Sequence, residues 1–184
     1  MILEIVKYGT PVLREKGRLV KEVDDKVKDL AENMIETMRA ANGVGLAAQQ
    51  VGVPIQLTVI DVAGIEDRPS AMWIDEKEVP LEEHMPLILL NPVLKLSEEK
   101  EVGNEGCLSF PDVTAEITRS TGVRCTAQLL DGTKIEFDAA GLLARALQHE
   151  TDHLNGVLFI DRMNAATKAS LAGKLKRLQK ETRG

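Results

Sequence analysis

The run His-Glu-Thr-Asp-His at residues 149–153 contains two of the three histidines of this 184-residue chain. On a helix, two imidazoles four residues apart leave the same face one turn apart, so they can bind one divalent metal ion. Glu150, between them, can then reach a water molecule on that ion. Residues 141–148 are rich in strong helix formers, which predicts that the run lies on a partly buried helix. The pattern indicates a hydrolytic metal centre.

A catalytic zinc-type site has three protein ligands and an open position for water, so the third ligand must lie elsewhere in the sequence. Cys125 belongs to an alternating strand pattern, which predicts a core thiol. His84 lies in an acidic stretch that ends at a proline and is predicted to be a solvated loop residue. Cys107 follows Gly106 in an irregular segment that ends at Pro111, where a thiol can approach a metal closely. Cys107 therefore stands apart from the other candidates, which also include the acidic residues.

The elements that must position these side chains begin with a helix. An apolar stripe predicts it over residues 24–40, with Asp24 or Asp25 as its N-terminal cap. Residues 42–52 contain three glycines, which let a backbone approach a ligand. A strand is predicted over 55–62.

The middle of the chain is harder to interpret. Residues 63–86 are polar, charged and proline-punctuated, so we expect a long connection that contains a short hairpin, to which the sequence assigns no role. A strand is predicted over 86–96, bent at Asn91-Pro92. Residues 97–106 are charged and are predicted to form a loop.

The last third of the sequence contains a hairpin, the metal helix and a final helix. The hairpin strands are predicted over 122–130 and 134–139, joined by a two-residue turn at Asp131-Gly132. The final helix is predicted over about 164–182, with Asn164 as its cap and one apolar face formed by Leu171, Leu175 and Leu178. The predicted fold is a single catalytic α+β domain over 1–184. It has short, mostly antiparallel sheets around a central metal-binding helix, and a C-terminal helix.

Composition excludes several classes of protein. A net charge of −6 argues against broad nucleic-acid binding. No apolar run approaches the ~18 residues of a membrane span, and the first residues lack the pattern of a signal peptide. Two cysteines do not suggest a disulfide framework. A cytoplasmic location is therefore expected.

Three blocks, at residues 43–50, 105–111 and 148–153, together carry a family pattern. They read Gly-Val-Gly-Leu-Ala-Ala-Gln-Gln, Glu-Gly-Cys-Leu-Ser-Phe-Pro and Gln-His-Glu-Thr-Asp-His. In this order they strongly resemble peptide deformylase, and the flanking segments extend the resemblance over nearly the whole chain. The resemblance implies hydrolysis of the N-formyl group from the formyl-methionine of nascent polypeptides, with release of formate.

The resemblance also implies a role for individual residues. The implied metal ligands are Cys107, His149 and His153. Glu150 is the implied general base and later acid, while Gln50 and the backbone N–H of Leu108 are the implied donors to the oxyanion. The residues expected to bind the peptide are Val44 and Gly45 along an added strand, and Leu142, Arg145 and Ala146 around the methionine side chain.

Some residues of the predicted substrate site do not match what the family resemblance implies. Arg145 suits an apolar pocket less well than its neighbours, so we expect its methylene stem to line the pocket with its charge in water. The chain also departs from some relatives, which carry an arginine where Thr114 stands and an acid where Asn42 stands. Polar contacts with the substrate backbone are therefore expected to differ.

The identity of the metal is where chemistry and resemblance diverge. A thiolate with two imidazoles suits Zn²⁺ by softness and geometry. The resemblance implies Fe²⁺, one per chain, with Zn²⁺, Ni²⁺ or Co²⁺ able to substitute.

Two other functions remain open at this point. A His-Glu-x-x-His metallopeptidase would use the same helix, but its usual third ligand is a carboxylate or histidine. A non-catalytic metal-binding or ribosome-binding module would have no need of Glu150. Independently, six basic residues between Lys168 and Arg183 suggest either a solvated helix face or a surface that docks on ribosomal RNA.

Overall fold

The computed structural model describes residues 1–183 and has the predicted α+β architecture. Within these residues there are three α-helices, α1 (Asp25–Ala40), α2 (Leu142–Leu154) and α3 (Ala165–Arg183). The strands are β1 (Gly45–Ala47), β2 (Leu57–Ile60), β3 (Ser70–Ile74), β4 (Lys77–Val79), β5 (Leu87–Leu96), β6 (Lys100–Cys107), β7 (Phe110–Ser120), β8 (Gly122–Gln128) and β9 (Lys134–Gly141).

The strands form two sheets whose neighbouring strands are all antiparallel. Seven strands form one sheet in the order β1-β2-β5-β8-β9-β3-β4, and β6 pairs with β7 in the other. The prediction of short, mostly antiparallel sheets is confirmed. Strand β1 lies at one end of the larger sheet and has a strand neighbour on one side only.

Helix α2 is the central element, as predicted. It contacts strands of both sheets, including β1, β9 and β7. Its residues Leu143 and Leu147 are buried in one core cluster with Phe137 of β9. The helix ends at Leu154, and Gly156, two residues further on, adopts a positive φ of 75° that favours glycine. The run at 149–153 is therefore held by core packing on a rigid element.

The first and last helices begin where their caps predict. The Asp24 carboxylate accepts a hydrogen bond from the Val27 N–H at 2.9 Å, and α1 starts at the next residue. The Asn164 side chain accepts from the Thr167 N–H at 2.8 Å, and α3 follows. The predicted apolar face of α3 packs against a core cluster, with Leu175 buried and Leu171 and Leu178 partly buried.

The predicted loop over 97–106 is wrong, because most of it is strand β6. Lys100 pairs with Ser120, and the ladder continues to Glu105 opposite Ala115. The strand was hidden because residues on both of its faces are polar or exposed, so no alternation marks a buried side. This ribbon carries Glu105 and Cys107 to the α2 helix.

One turn also differs from expectation. The turn between β8 and β9 is not a two-residue turn, because the Leu129 N–H donates to the Thr133 carbonyl at 2.9 Å around a three-residue loop. Within it only Gly132 has a positive φ, whereas a two-residue turn of type I′ needs two such residues. That conformation occurs instead at Asp75 and Glu76, between β3 and β4.

The other predictions for the middle of the chain are confirmed. The segment 63–86 contains the expected short hairpin, formed by β3 and β4. Strand β5 is irregular between Leu90 and Val93, where Asn91 has a φ of 52°. Among the described residues, no helix is long and apolar enough to cross a membrane.

Candidate metal and active site

One group of side chains among the described residues has the composition and spacing of a metal site, and it consists of Cys107, His149 and His153. Their ligand atoms all lie within 4.8 Å of one another, and Cys107 Sγ is 3.2 Å from His153 Nε2. Atoms bonded to one ion at ~2.0–2.3 Å lie at most ~4.6 Å apart. The three donors are therefore close enough together to bind a single soft divalent ion.

The local structure explains how these three residues meet. His149 and His153 leave α2 one turn apart, as their spacing requires. Cys107 ends β6, where the β6–β7 ladder is irregular between Gly106 and Cys107. This irregularity turns the thiol out of the ladder toward the helix.

The rejected candidates lie outside this group. Cys125 is fully buried in the core, where burial raises the pKa of its thiol to about 12. His84 follows a short helical turn at Leu81–Glu83 and belongs to no ligand group among residues 1–183. With three protein ligands, the group has the composition of an open catalytic site rather than a closed structural one.

Glu105 is the residue of the site that sequence reasoning missed. Its buried carboxylate lies 2.9 Å from His149 Nδ1 and accepts hydrogen bonds from Arg119 at 2.8 and 3.0 Å and from Arg145 at 2.8 Å. Burial opposes ionisation of Glu105, but hydrogen bonds with His149 and Arg119 outweigh it and hold its pKa well below the usual range. The carboxylate fixes the ring of His149 and leaves its Nε2 free for the metal.

The position of Arg145 corrects one expectation. Its guanidinium is buried and donates to Glu105 and to the carbonyls of Ile117 and Glu101, at 2.8, 2.8 and 3.1 Å. The prediction that its charge lies in water is therefore wrong. An arginine within the apolar sequence of α2 was the signal for this network, because a buried guanidinium needs a buried acid.

Arg119 extends the network to the other end of the metal helix. It donates to Asp152 of α2 at 2.7 Å while it holds Glu105. Asp152 also accepts from Arg162, at 2.9 and 3.1 Å. Helix α2 is thus tied to the β6–β7 ribbon by ion pairs on both sides of His149.

Glu150 lies over the backbone of Gly45. A Cβ added to Gly45 would stand 2.5 Å from Glu150 Oε2, so only glycine leaves room for the carboxylate there. The other oxygen, Oε1, is buried and has no hydrogen-bond partner among residues 1–183. Burial raises the pKa of Glu150 to about 7, which suits a group that both accepts and returns a proton.

Gln50 is buried in a short helical turn, Ala48–Val51, that follows β1. Its Oε1 accepts from the Ala47 N–H at 2.9 Å, which directs Nε2 the other way. Nε2 donates to Ser109 Oγ at 3.2 Å and lies 3.6 Å from Cys107 Sγ. The amide N–H groups therefore face the metal ligands, next to the backbone of Leu108.

A cavity of about 700 Å³ joins these groups. All of the predicted catalytic and peptide-binding residues line it, namely Val44, Gly45, Gln50, Leu108, Leu142, Arg145, Ala146 and Glu150, together with Cys107 and His149. His153 lies behind it, buried. Asn42 and Thr114, where the chain departs from some relatives, also line the cavity, as does Arg68 of the 63–86 segment.

Comparisons with known proteins agree with this geometry. The family model described as polypeptide deformylase matches residues 2–169. A curated peptide deformylase of Methylacidiphilum infernorum is 46% identical over 180 residues, which is 98% of this chain and 94% of the relative.

Solved structures give the same result for the fold. The crystal structure of peptide deformylase from Thermotoga maritima is similar, with a TM-score of 0.76 and 38% identity over 89% of this chain and 99% of that one. Peptide deformylase 1B of Arabidopsis thaliana, in complex with an inhibitor, has a TM-score of 0.82 and 36% identity over 97% and 91% of the two chains.

Proposed function

The chain belongs to the polypeptide deformylase family, whose members are metal-dependent hydrolases. We propose that it removes the formyl group from a nascent peptide, and we propose which of its residues carries out each step. The observation that carries the proposal is a Cys-His-His ligand group facing a carboxylate, Glu150, with one free oxygen in the same cavity. A closed structural site has no use for that oxygen.

Glu150 moves the proton. Cys107, His149 and His153 would hold a metal ion, and that ion would act as a Lewis acid that lowers the pKa of water and polarises the formyl oxygen. Glu150 accepts the proton of the attacking water and then returns it to the departing amine nitrogen. Formate and a peptide with a free N-terminus are the products.

Gln50 and Leu108 stabilise the charge that develops on the formyl oxygen. Gln50 is preorganised for this, because its Oε1 is held by the Ala47 N–H and its amide N–H groups have one fixed direction. The N–H of Leu108 is the second donor. Loss of one such donor costs about 3–4 kcal/mol of barrier.

The peptide binds along the edge of the larger sheet. Strand β1 has a strand neighbour on one side only, so Val44 and Gly45 can pair with an extended peptide. Leu142 and Ala146 of α2 then form the apolar wall for the methionine side chain. The stem of Arg145 completes that wall, while its guanidinium stays with Glu105.

Fe²⁺ is the proposed ion in the cell, one per chain, with Zn²⁺, Ni²⁺ or Co²⁺ as substitutes. The support is the family resemblance, while the softness of one thiolate and two imidazoles also suits Zn²⁺. The metallopeptidase alternative finds no support, because the third ligand is a thiol and the relatives named above are deformylases.

The proposed partners are N-formylmethionyl nascent chains and, through α3, the ribosome. Since the substrate is a chain under synthesis, we expect the reaction in the cytoplasm. The support for docking is the arrangement of α3, where one leucine face packs on the body and exposed basic residues such as Lys176, Arg177 and Lys180 lie on other faces.

One experiment tests the proposed activity. The protein is prepared without oxygen, its metals are measured, and formate release is followed from formyl-Met-Ala-Ser. We expect turnover that depends on one bound ion per chain and no cleavage inside longer unformylated peptides. Internal cleavage, or a metal-loaded protein that releases no formate, would contradict the proposal.

A further inference from the structure

The segment 63–86 brings one charged side chain to the active-site cavity, and that side chain is Arg68. Val62 is buried in the core, and Ile65 packs against the same cluster. Glu66 and Asp67, which follow, are exposed, whereas Arg68 is half-buried at the cavity. The long connection therefore passes the cavity as an ordered part of its wall.

Arg68 is fixed next to the start of the metal helix. The carbonyl of Pro69 accepts from the Leu142 N–H at 3.1 Å, and Ser70 Oγ accepts from the Leu143 N–H at 2.9 Å. Gly141 allows this close contact, since a Cβ there would lie 2.1 Å from the Pro69 carbonyl oxygen. Arg68 is thus held beside Leu142, at the end of α2 that faces the methionine side chain.

The charge of Arg68 is not neutralised within the protein. Among residues 1–183, its guanidinium makes no ion pair and no hydrogen bond with another residue. The other arginine of the cavity, Arg145, is fully engaged with Glu105 and two carbonyls. Lys7 also lines the cavity, and its ammonium donates to the Ile5 carbonyl at 2.9 Å. Arg68 is therefore a guanidinium available to substrate.

The geometry of an added strand tells which substrate residue meets Arg68. Side chains of an extended peptide alternate, so the first and third residues face the same side, with Cα atoms ~7 Å apart. Leu142 lies seven residues before His149, about 10 Å along the helix axis. A peptide that runs along β1 from the metal ligands toward the Leu142 end of α2 brings its third side chain, on the methionine side, toward Arg68.

We propose that Arg68 makes this enzyme favour formylated peptides with an acidic side chain at the third residue. The inference rests on the proposed function and adds a substrate preference to it. It also gives the 63–86 segment a role, because that segment delivers the guanidinium and ties it to the helix that carries the metal ligands.

The test compares kcat/KM for formyl-Met-Ala-Xaa-Ser-amide peptides in which Xaa is Glu, Gln or Lys. The C-terminal amide leaves the Xaa side chain as the variable charge. We expect the wild-type enzyme to favour Glu over Gln by about threefold to fivefold, as for a partly exposed ion pair. Arg68→Gln should abolish this ratio, and Arg68→Lys should retain part of it.

Two controls make the outcome specific. Arg18→Gln changes an exposed arginine outside the cavity and should leave the Glu-to-Gln ratio unchanged. Moving the acid to the second residue should remove the effect of Arg68→Gln. The inference is overturned if the ratio at the third residue is the same in the wild-type and Arg68→Gln enzymes. Formate release from none of the peptides would instead overturn the proposed function, and this inference with it.

Discussion

Helices α2 and α3 differ in how the rest of the molecule holds them. Eleven of the 13 residues of α2 are buried, whereas only Leu175 is buried among the 19 residues of α3. Several polar side chains of α2, among them Arg145, Gln148 and Asp152, are held by partners on other elements, whereas most of the polar side chains of α3 face water. The chemistry proposed for α2 requires precisely positioned atoms, whereas α3 needs only an apolar face that packs on the body.

The match to the family model also differs between the two helices. It covers all of α2 and ends at residue 169, early in α3. A catalytic helix must place ligands to within a fraction of an ångström, which requires packing and ion pairs on every side. A helix attached by one leucine face tolerates changes of charge elsewhere on its surface, because most of those side chains are exposed.

The largest effect is expected for Glu150→Ala in α2. The three proposed metal ligands are unchanged, so the metal content should equal that of the wild type. Without Glu150, the proposed proton acceptor, kcat should fall by about 10²–10⁴-fold or more. Metal analysis and formate release measure the two quantities on one sample. The matched control is Glu116→Ala, an exposed acid on β7 that should retain full turnover. Retained activity in Glu150→Ala would remove Glu150 from the proton-transfer role.

Glu105→Gln should lower stability and metal affinity together. The change leaves Arg119 and Arg145 buried beside a neutral group, which costs about 3–5 kcal/mol of unfolding free energy. It also removes the carboxylate that orients His149, so metal affinity should fall about 10- to 100-fold. Denaturant unfolding and metal titration measure these effects.

A matched control separates the buried network from surface charge. Glu136 also bonds an arginine, Arg124, but both side chains are about half exposed. Glu136→Gln should therefore change stability by less than about 1 kcal/mol and leave metal affinity unchanged. Equal effects of Glu105→Gln and Glu136→Gln would contradict the claim that the buried ion pairs hold the metal helix.

Leu175→Ala should destabilise the fold without changing the chemistry. Leu175 is the buried residue of α3 and packs against the cluster that contains Phe110 and Phe159. The truncation should cost about 2–3 kcal/mol of unfolding free energy, with kcat unaltered at temperatures where the variant is folded. Leu19→Ala, at a leucine that is 68% exposed, is the control and should cost little. A large fall in kcat for Leu175→Ala would mean that α3 helps to position the site.

The predictions from sequence succeeded where a signal is local. The stripe of α1, the Asn164 cap of α3 and the histidine spacing of α2 each lie within a few turns of helix, so period and caps were sufficient. Strand β6 failed the same test because both of its faces are polar or exposed. Its partner β7 alternates between buried and exposed residues, but β6 has no apolar alternation that would mark a buried side.

The role of Glu105 was out of reach for a different reason. Its partners Arg145 and His149 are 40 and 44 residues away in sequence, and nothing local tells that β6 folds against α2. The candidate ligand Cys107 was found because a thiol is a distinctive metal ligand, because it follows Gly106 in an irregular segment, and because the family resemblance implies it. The chain contains many acidic residues, so the role of Glu105 can be recognised only when its burial and its hydrogen-bond partners are known.

The smallest effect on the enzyme itself is expected from charge on α3. Deletion of this helix would be a poor test of ribosome docking, because it would also remove Leu175 from the core. The triple variant Lys176→Gln, Arg177→Gln, Lys180→Gln changes only exposed side chains and should leave stability and peptide turnover within error.

The same triple variant should weaken ribosome co-sedimentation at low salt, because contacts with RNA phosphates depend on counterion release. The matched control neutralises three exposed lysines in the N-terminal part of the chain, Lys21, Lys26 and Lys28, and changes the net charge by the same amount. If both triple variants sediment alike, total charge rather than α3 governs binding. If neither differs from the wild type, α3 is a solvated face and the contrast with α2 is one of packing alone.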